Sequence, residues 1–246
     1  MGFSMNFETF SQLLTRSFAQ NGVGSYITAE SARKFYDLTC IMDEKNRVMN
    51  ITAIREVEDV IPLHYADCAK IAHLFPRNAT VIDVGCGGGF PTLPLAIVRP
   101  DLCITGVDST EKKVRYVQET ANALGLNVKT LAGRAEELAQ NPQYREKFDC
   151  ATSRAVARGH ILSELCLPFV KIGGKWIIMK GASGQEELDE AENGIRTLGG
   201  GISAVAKETL YVKDRTESRV NAVVEKNSET PPKYPRAFGQ IKKKPL

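Results

Sequence analysis

The sequence is poor in several features that mark specialised classes of protein. Its 246 residues include three histidines and one tryptophan, and 7% of them are aromatic. No apolar run reaches about 18 residues, so the sequence predicts no transmembrane helix and no membrane partner. The N-terminus has no basic stretch followed by an apolar one. We therefore expect no secretory signal and a cytoplasmic location.

The six cysteines are not arranged in metal or redox motifs. No two of them form a C-x-x-C pair, and most lie in apolar stretches. We expect reduced, buried thiols rather than disulfides or zinc ligands, and the sequence predicts no metal site.

The remaining composition is typical of a globular protein. Hydrophobic residues make up 43% and charged residues 25% of the chain, whose length suits one large α/β domain with a small appended element. The net charge of +3 is too small to indicate nucleic-acid binding by itself. The basic surplus lies in residues 233–246, which contain no acidic side chain.

The first part of the chain, residues 1–75, predicts a helical region. Apolar residues recur at helical spacing from Phe7 to Phe18, and Thr28 is placed to cap a second helix. A third apolar stripe runs over 57–75, and the polar stretch 43–50 predicts a loop before it.

Residues 76–226 predict a doubly wound, mostly parallel sheet. Strand-like runs at 80–84, 102–107, 128–132, 148–152 and 175–179 are separated by helical stretches, which indicates parallel βαβ crossovers. Runs at 208–212 and 219–224 have no helix between them and predict a terminal antiparallel hairpin. The last segment, 227–246, is expected to be a basic tail on the surface.

A glycine-rich loop follows the first strand and opens a helix: Asp83-Val84-Gly85-Cys86-Gly87-Gly88-Gly89-Phe90. Doubly wound sheets bind nucleotides at this position. A dinucleotide fingerprint needs Gly or Ala five residues after Gly85, where this chain has Phe90. The spacing Asp-x-Gly-x-Gly-x-Gly instead has the class I methyltransferase form, which uses S-adenosylmethionine (SAM).

Carboxylates at strand ends suit the rest of that cofactor. Asp108 ends the second strand, where it is placed to accept the ribose hydroxyl hydrogens, with Ser109 beside it. The alternative for Asp108 is a helix N-cap. Asp83 and the run from Ala135 to Glu137 are further candidates, although Glu136 also suits a helix start electrostatically.

Several motifs in order resemble one family, the bacterial glucose-inhibited-division-B type of small-subunit rRNA guanine-N7 methyltransferase. They include Asn50-Ile51-Thr52-Ala53-Ile54, His64-Tyr65-Ala66-Asp67, the loop through Phe90-Pro91, Gly133-Arg134-Ala135-Glu136-Glu137, Thr152-Ser153-Arg154-Ala155-Val156, Lys180-Gly181 and Tyr234-Pro235-Arg236. The resemblance covers nearly the whole chain. The sequence departs from the usual residues of this family at four positions, which are Cys68, Cys86, Thr92 and Ile241.

The resemblance implies a SAM-dependent enzyme of Rossmann-like fold that acts on a guanine of small-subunit (16S) ribosomal RNA. It implies SAM contacts from Gly85, Phe90, Ala135, Glu136 and Arg154. The expected partner is that RNA or the small ribosomal subunit, and we expect a monomer.

Guanine N7 carries a lone pair and no proton, so methyl transfer there needs positioning rather than a general base. The end of the fourth strand is consistent with this, because it has Arg154 in place of the Asn/Asp-Pro-Pro-aromatic motif of exocyclic-amine methyltransferases. No catalytic residue is certain. The candidates are Arg154 and His64, which shares a helical face with Asp67. Each has a structural alternative, an ion pair for Arg154 and packing for His64.

For RNA contact we select Arg134 and Lys180 at strand ends and, in the tail, Arg236, Lys242, Lys243 and Lys244. A solvated surface is the alternative for each lysine. If the tail binds RNA, deletion of 233–246 weakens RNA binding and leaves SAM affinity unchanged.

Other functions remain open from the residues alone. The same SAM loop serves enzymes that methylate small molecules or protein side chains. A non-catalytic RNA-binding module on this fold is a second alternative, which weak SAM binding would favour. A dinucleotide oxidoreductase is a third.

Overall fold

The computed structural model describes residues 5–154 and 157–246. Its α-helices are α1 Phe7–Gln20, α2 Ala29–Asn46, α3 Val57–Val60, α4 Asp67–Lys70, α5 Thr92–Val98, α6 Glu111–Ala123, α7 Ala135–Leu138, α8 Gly159–Cys166, α9 Gly184–Thr197 and α10 Phe238–Lys243. Its strands are β1 Thr80–Val84, β2 Cys103–Asp108, β3 Val128–Ala132, β4 Phe148–Arg154, β5 Val170–Lys180, β6 Gly200–Val212 and β7 Arg215–Lys226.

These strands form one seven-stranded sheet in the order β3-β2-β1-β4-β5-β7-β6. The first five strands pair in parallel, and the β6–β7 hairpin adds to β5 in antiparallel fashion. The predicted fold class is thereby confirmed. Because the chain order reverses between β1 and β4, the carboxyl ends of these two strands flank the position where such sheets bind ligands.

The hydrophobic core has two parts, one on each face of the sheet, and successive apolar residues of a strand contribute alternately to the two parts. Val81 belongs to the apolar cluster that includes residues of α1, α2, α5 and α6, whereas its neighbour Ile82 belongs to the cluster that includes residues of α8 and α9. Both side chains are fully buried. A parallel sheet covered by helices on both faces needs such continuous apolar strands, which explains the β-branched run at 80–84.

One helix boundary, the C-terminal end of α2, departs from the sequence-based prediction. Helix α2 begins at the predicted cap, where Thr28 and Ser31 form a reciprocal capping box. It continues to Asn46, so the first half of the predicted loop at 43–50 is helical. Asp43 and Arg47 form an i,i+4 ion pair of 3.0 Å on the surface, and such pairs stabilise a polar helix end that shows no apolar stripe.

The third helical stripe is interrupted in the middle. Residues Ile61–Ala66 form a π-helical turn between α3 and α4. Single π-turns widen a helix locally and frequently occur at functional sites. This turn carries His64 and leads directly into Asp67.

The hairpin strands are longer than predicted, and the tail is not wholly on the surface. Strands β6 and β7 are joined by the two residues 213–214, whereas the sequence predicted a six-residue connection. The added strand residues are mostly polar and show no apolar alternation, so the sequence analysis did not recognise them. In the segment 227–246, Tyr234 is 7% exposed and Ile241 is fully buried. Within the described residues, no helix is long and apolar enough to cross a membrane.

Candidate active site

Three adjoining cavities lie at the carboxyl ends of the parallel strands. The β2–β3 cavity, of about 210 Å³, lies against Asp108 and Ala135. The loop cavity, of about 350 Å³, lies against the glycine-rich loop. The arginine cavity, of about 610 Å³, lies against Asp67 and Arg219. Gly85 and Asp108 line the first two cavities and Arg154 the last two, so the three form a continuous groove.

The glycine-rich loop has a backbone that other residues would not adopt. Gly85, Gly87 and Gly89 have φ values of 78°, 52° and 90°, in the left-handed region. A Cβ atom at Gly88 would lie 2.7 Å from the carbonyl oxygen of Ile51. The loop therefore packs closely against the segment that contains Ile51, and Gly85, Gly87 and Gly88 line the cavity with backbone alone.

Asp108 holds this loop and faces the groove. Its Oδ2 accepts a hydrogen bond from the Gly87 N–H at 3.0 Å, and its Oδ1 accepts one from the Thr110 N–H at 2.8 Å. The cap of α6 is Thr110, so the alternative in which Asp108 itself is the N-cap is wrong. The carboxylate is half-buried and lines two cavities, an arrangement that leaves it available to hydroxyl donors.

Asp83 lies beneath the loop. It is completely buried, and its Oδ2 accepts a hydrogen bond of 2.5 Å from the Thr92 hydroxyl. Its Oδ1 has no hydrogen-bond partner among the described residues. Burial raises the pKa of Asp83 to about 6, against the opposing effect of the Thr92 hydrogen bond.

Arg154 ends β4 and is held by the π-helical turn. Its Nη1 donates to the Leu63 carbonyl at 3.0 Å and lies 3.3 Å from Asp67 Oδ2, and its Nη2 donates to His64 Nδ1 at 2.8 Å. Asp67 Oδ1 accepts from Arg219 Nε at 2.9 Å. The ion pair considered as the alternative for Arg154 is thus present. His64 and Asp67, which the sequence places on one helical face, both bind Arg154.

His64 is a neutral acceptor in this network. Burial and the neighbouring Arg154 charge lower its pKa to about 3. Since Nδ1 accepts from Arg154, the ring proton lies on Nε2, which donates to the Thr52 hydroxyl at 2.8 Å. The imidazole also stacks on Phe90, with ring centroids 4.2 Å apart. The loop and Arg154 are therefore linked through one histidine.

Comparison with known proteins decides the family. The family model described as "GidB: rRNA small subunit methyltransferase G" matches residues 30–212. The chain belongs to this family.

Individual relatives are similar in sequence to this chain along nearly its whole length. The ribosomal RNA small subunit methyltransferase G of Clostridium perfringens is 42% identical over 231 residues, which cover 93% of this chain and 96% of the relative. That of Clostridium beijerinckii is 42% identical over 241 residues, covering 96% and 99%. The predicted family, enzyme class and SAM cofactor are confirmed.

Solved structures agree at the level of the fold. Pyrococcus horikoshii TYW2 in complex with MeSAdo has a TM-score of 0.54 and 13% identity, covering 68% of this chain and 64% of that one. The branched-chain polyamine synthase of Thermus thermophilus, in complex with N4-aminopropylspermidine and 5′-methylthioadenosine, has a TM-score of 0.52 and 12% identity, covering 68% and 56%.

The groove of this methyltransferase fits SAM. The left-handed glycines open the loop to a ligand, Asp108 presents a carboxylate between two cavities, and the buried Asp83 keeps one unpartnered oxygen under the loop. Ser109, Ala135 and Glu136, which the sequence analysis selected as cofactor contacts, line the β2–β3 cavity, and their contact with SAM stays a prediction. Glu136 is 7% exposed and lies 3.6 Å from Arg134.

The basic residues selected for RNA contact differ in how exposed their side chains are and in whether they form ion pairs. Arg134 is exposed beside the β2–β3 cavity. Lys180 lines the arginine cavity, but its Nζ donates to Glu187 at 2.7 Å and to the Ala157 carbonyl, and only 8% of its side chain is exposed. Arg236 pairs with the fully buried Glu164 at 2.6 Å. These bonds give Lys180 and Arg236 structural roles.

The other selected residues in the tail are accessible. Lys242, Lys243 and Lys244 are exposed on and just after α10.

The thiol nearest the groove is buried: Cys86 lines the loop cavity, is 1% exposed, and burial raises the pKa of its thiol. Cys150 is fully buried in β4, and burial raises its pKa to about 12. All six cysteines are free, and four of them are buried. The expectation of buried thiols is confirmed for these four, whereas Cys40 and Cys103 are partly exposed.

Sequence reasoning missed Arg219, and it did not place Phe238 at the cofactor side of the groove. Arg219 lies in the hairpin, far in sequence from Asp67, and an arginine in a polar strand carries no local signal of a buried partner. Phe238 lines the β2–β3 cavity from the C-terminal helix, although the basic residues around it suggested a surface tail. Residues 155–156, which the family motif includes, lie outside the described residues.

Proposed function

We propose that this protein transfers a methyl group from SAM to N7 of a guanine in small-subunit ribosomal RNA. The observation that carries the proposal is the position of Arg154, which joins the loop cavity to the larger arginine cavity. A methyl group held at the loop would meet its acceptor at this junction. Membership of the rRNA small subunit methyltransferase family supports ribosomal RNA as that acceptor.

When bound, SAM supplies an electrophilic methyl group on a sulfonium sulfur. The chain's own residues orient the reactants. Asp108 is placed to accept ribose hydroxyl hydrogens, and the glycine loop and Phe90 shape the cavity beside it. Because N7 has no proton to lose, positioning is sufficient, and it can lower a barrier by roughly 7–11 kcal/mol.

Arg154 and His64 are the candidate residues at the junction. A bidentate contact of Arg154 with O6 and N7 would block the reacting lone pair, so we assign its guanidinium to O6, to a phosphate or to the cofactor. His64 is neutral, and both its nitrogens are engaged. We assign it to the positioning of Arg154 rather than to proton transfer.

The target guanine is expected to be accessible outside a regular helix. The major groove of duplex RNA is deep and narrow and hides N7, so the acceptor lies in a loop or bulge or is splayed out. Arg134 and the three terminal lysines are the cations proposed to contact phosphates. A monomer in the cytoplasm remains the prediction.

The test is methyl transfer from labelled SAM to small ribosomal subunits from a strain that lacks this gene, followed by mapping of the labelled base. We expect label at a single guanine N7. Subunits from a strain that carries the gene are the matched control and should accept little label. SAM binding without label on subunits or their naked RNA would reject the acceptor and retain the cofactor.

A further inference from the structure

One wall of the β2–β3 cavity comes from the end of the chain. The other lining residues lie at the ends of β1 and β2 or just after them, in the loop after β3, on α7 and on α8, whereas Phe238 begins α10. Among the described residues that line this cavity, Phe238 is the one aromatic side chain. It is partly buried against the core on the α8–α9 face of the sheet.

The chain on both sides of Phe238 is anchored. Before it, Glu164 accepts from the Arg236 backbone N–H at 2.7 Å and from its guanidinium at 2.6 Å. The Pro235 carbonyl accepts from Gln140 Nε2 at 2.7 Å. After it, Ile241 is fully buried. Breaking a buried ion pair is costly, so these contacts fix where the Phe238 ring lies.

The cavity itself suits an adenosine. Asp108 lies at its edge at the carboxyl end of β2, the strand end at which a carboxylate binds ribose hydroxyls in nucleotide-binding sheets. The base next to that ribose presents a flat aromatic face, which stacks favourably on aromatic side chains.

We propose that Phe238 is a cofactor-positioning residue, whose ring forms a wall for the adenine of SAM; this rests on the function proposed above. The C-terminal segment then closes the cofactor site. Deletion of 233–246 is accordingly expected to weaken SAM binding, in contrast to the expectation from sequence that it would leave SAM affinity unchanged.

The test is calorimetry of S-adenosylhomocysteine and 5′-methylthioadenosine binding to the full chain and its variants. Phe238→Ala is expected to weaken both ligands by a similar factor, roughly 5- to 100-fold, because it removes base–aromatic stacking and both ligands carry adenosine. Phe238→Tyr keeps the ring and should retain affinity. Gln240→Ala, an exposed change on the same helix, is the matched control and should bind as the wild type does.

A second variant separates stacking from packing. Phe238→Leu retains an apolar anchor but has no aromatic face, so it should lose affinity while its C-terminus resists carboxypeptidase as the wild type does. Two outcomes would overturn the proposal. One is that only the variants with a cleavable C-terminus lose affinity for the ligands. The other is that Phe238→Ala binds both ligands within twofold of the wild type. If the wild type binds neither ligand, the cofactor assignment itself fails.

Discussion

The two halves of the groove are built by different means. On the cofactor side, backbone conformation and single carboxylates dominate: left-handed glycines, Asp83 beneath the loop and Asp108 beside it. On the substrate side, side chains from distant parts of the chain form a network of ion pairs around Asp67. The glycine-rich loop depends on local sequence, whereas the ion-pair network depends on which elements the fold brings together.

This difference predicts different responses to mutation. Changes on the substrate side should act first on stability, because the network is buried. Changes on the cofactor side should act first on ligand affinity, because Asp108 is partly open to the groove. The largest effect is expected at the most buried charges and the smallest at the exposed terminal lysines.

Asp67→Ala should give the largest loss of stability. It removes the carboxylate between Arg154 and Arg219, whose side chains are 15% and 14% exposed. Arg154 then lacks its one acidic partner among the described residues, whereas Arg219 keeps Glu217 at 2.9 Å. Breaking a buried pair costs about 3–5 kcal/mol, measured here as the free energy of unfolding in urea.

Asp59→Ala is the matched control for Asp67→Ala. Asp59 also pairs with two basic residues, Lys213 and Arg215, but their side chains are 39% and 51% exposed. Exposed pairs contribute about 1 kcal/mol or less. Equal losses from the two variants would show that burial does not distinguish the networks.

Asp108→Ala should reduce affinity more than stability. We expect S-adenosylhomocysteine to bind roughly 10- to 100-fold more weakly in calorimetry, since hydrogen bonds to a charged group contribute about 1.5–3 kcal/mol. Asp101→Ala, near the opposite end of the same strand, should leave affinity unchanged. Unchanged affinity in Asp108→Ala would remove Asp108 from the cofactor site.

His64 should make stability depend on pH. Its folded pKa of about 3 lies below the ordinary value of 6.5, so its contribution is complete above 6.5 and is lost progressively as pH falls towards 3. Relative to His64→Gln, the wild type should lose about 1.4 kcal/mol of unfolding free energy per pH unit between about 6 and 4. A constant difference across urea titrations in that range would show that His64 titrates normally.

The terminal lysines should give the smallest effect. Replacing Lys242, Lys243 and Lys244 by alanine should lower the slope of log affinity for ribosomal RNA against log salt by about 0.7–0.9 for each phosphate that is no longer neutralised. Folding should be unaffected because all three are exposed. Lys171 lies at the N-terminal end of β5, away from the groove, so Lys171→Ala is the control and should leave the slope unchanged. An unchanged slope in the triple variant would mean that these lysines are only solvated.

The parallel sheet, the terminal hairpin and the glycine loop were predictable because each has a local signal. Buried parallel strands need β-branched apolar runs, and the left-handed turns after β1 need glycine. The position of Asp108 followed from its place at the end of the second strand. The extension of α2 through Asp43 and the π-turn around His64 were not predictable, because surface ion pairs and packing decide them.

The sequence by itself therefore determined the fold, the family and the glycine-rich loop with Asp83, through periodicity and motifs whose residues are neighbours in the chain. Only the tertiary structure decided the rest. Arg219 reaches Asp67 across 152 residues, and Arg236 reaches Glu164 across 72. The contribution of these charged side chains to the free energy of unfolding depends on how deeply they are buried and on which residue pairs with them, and the local sequence specifies neither.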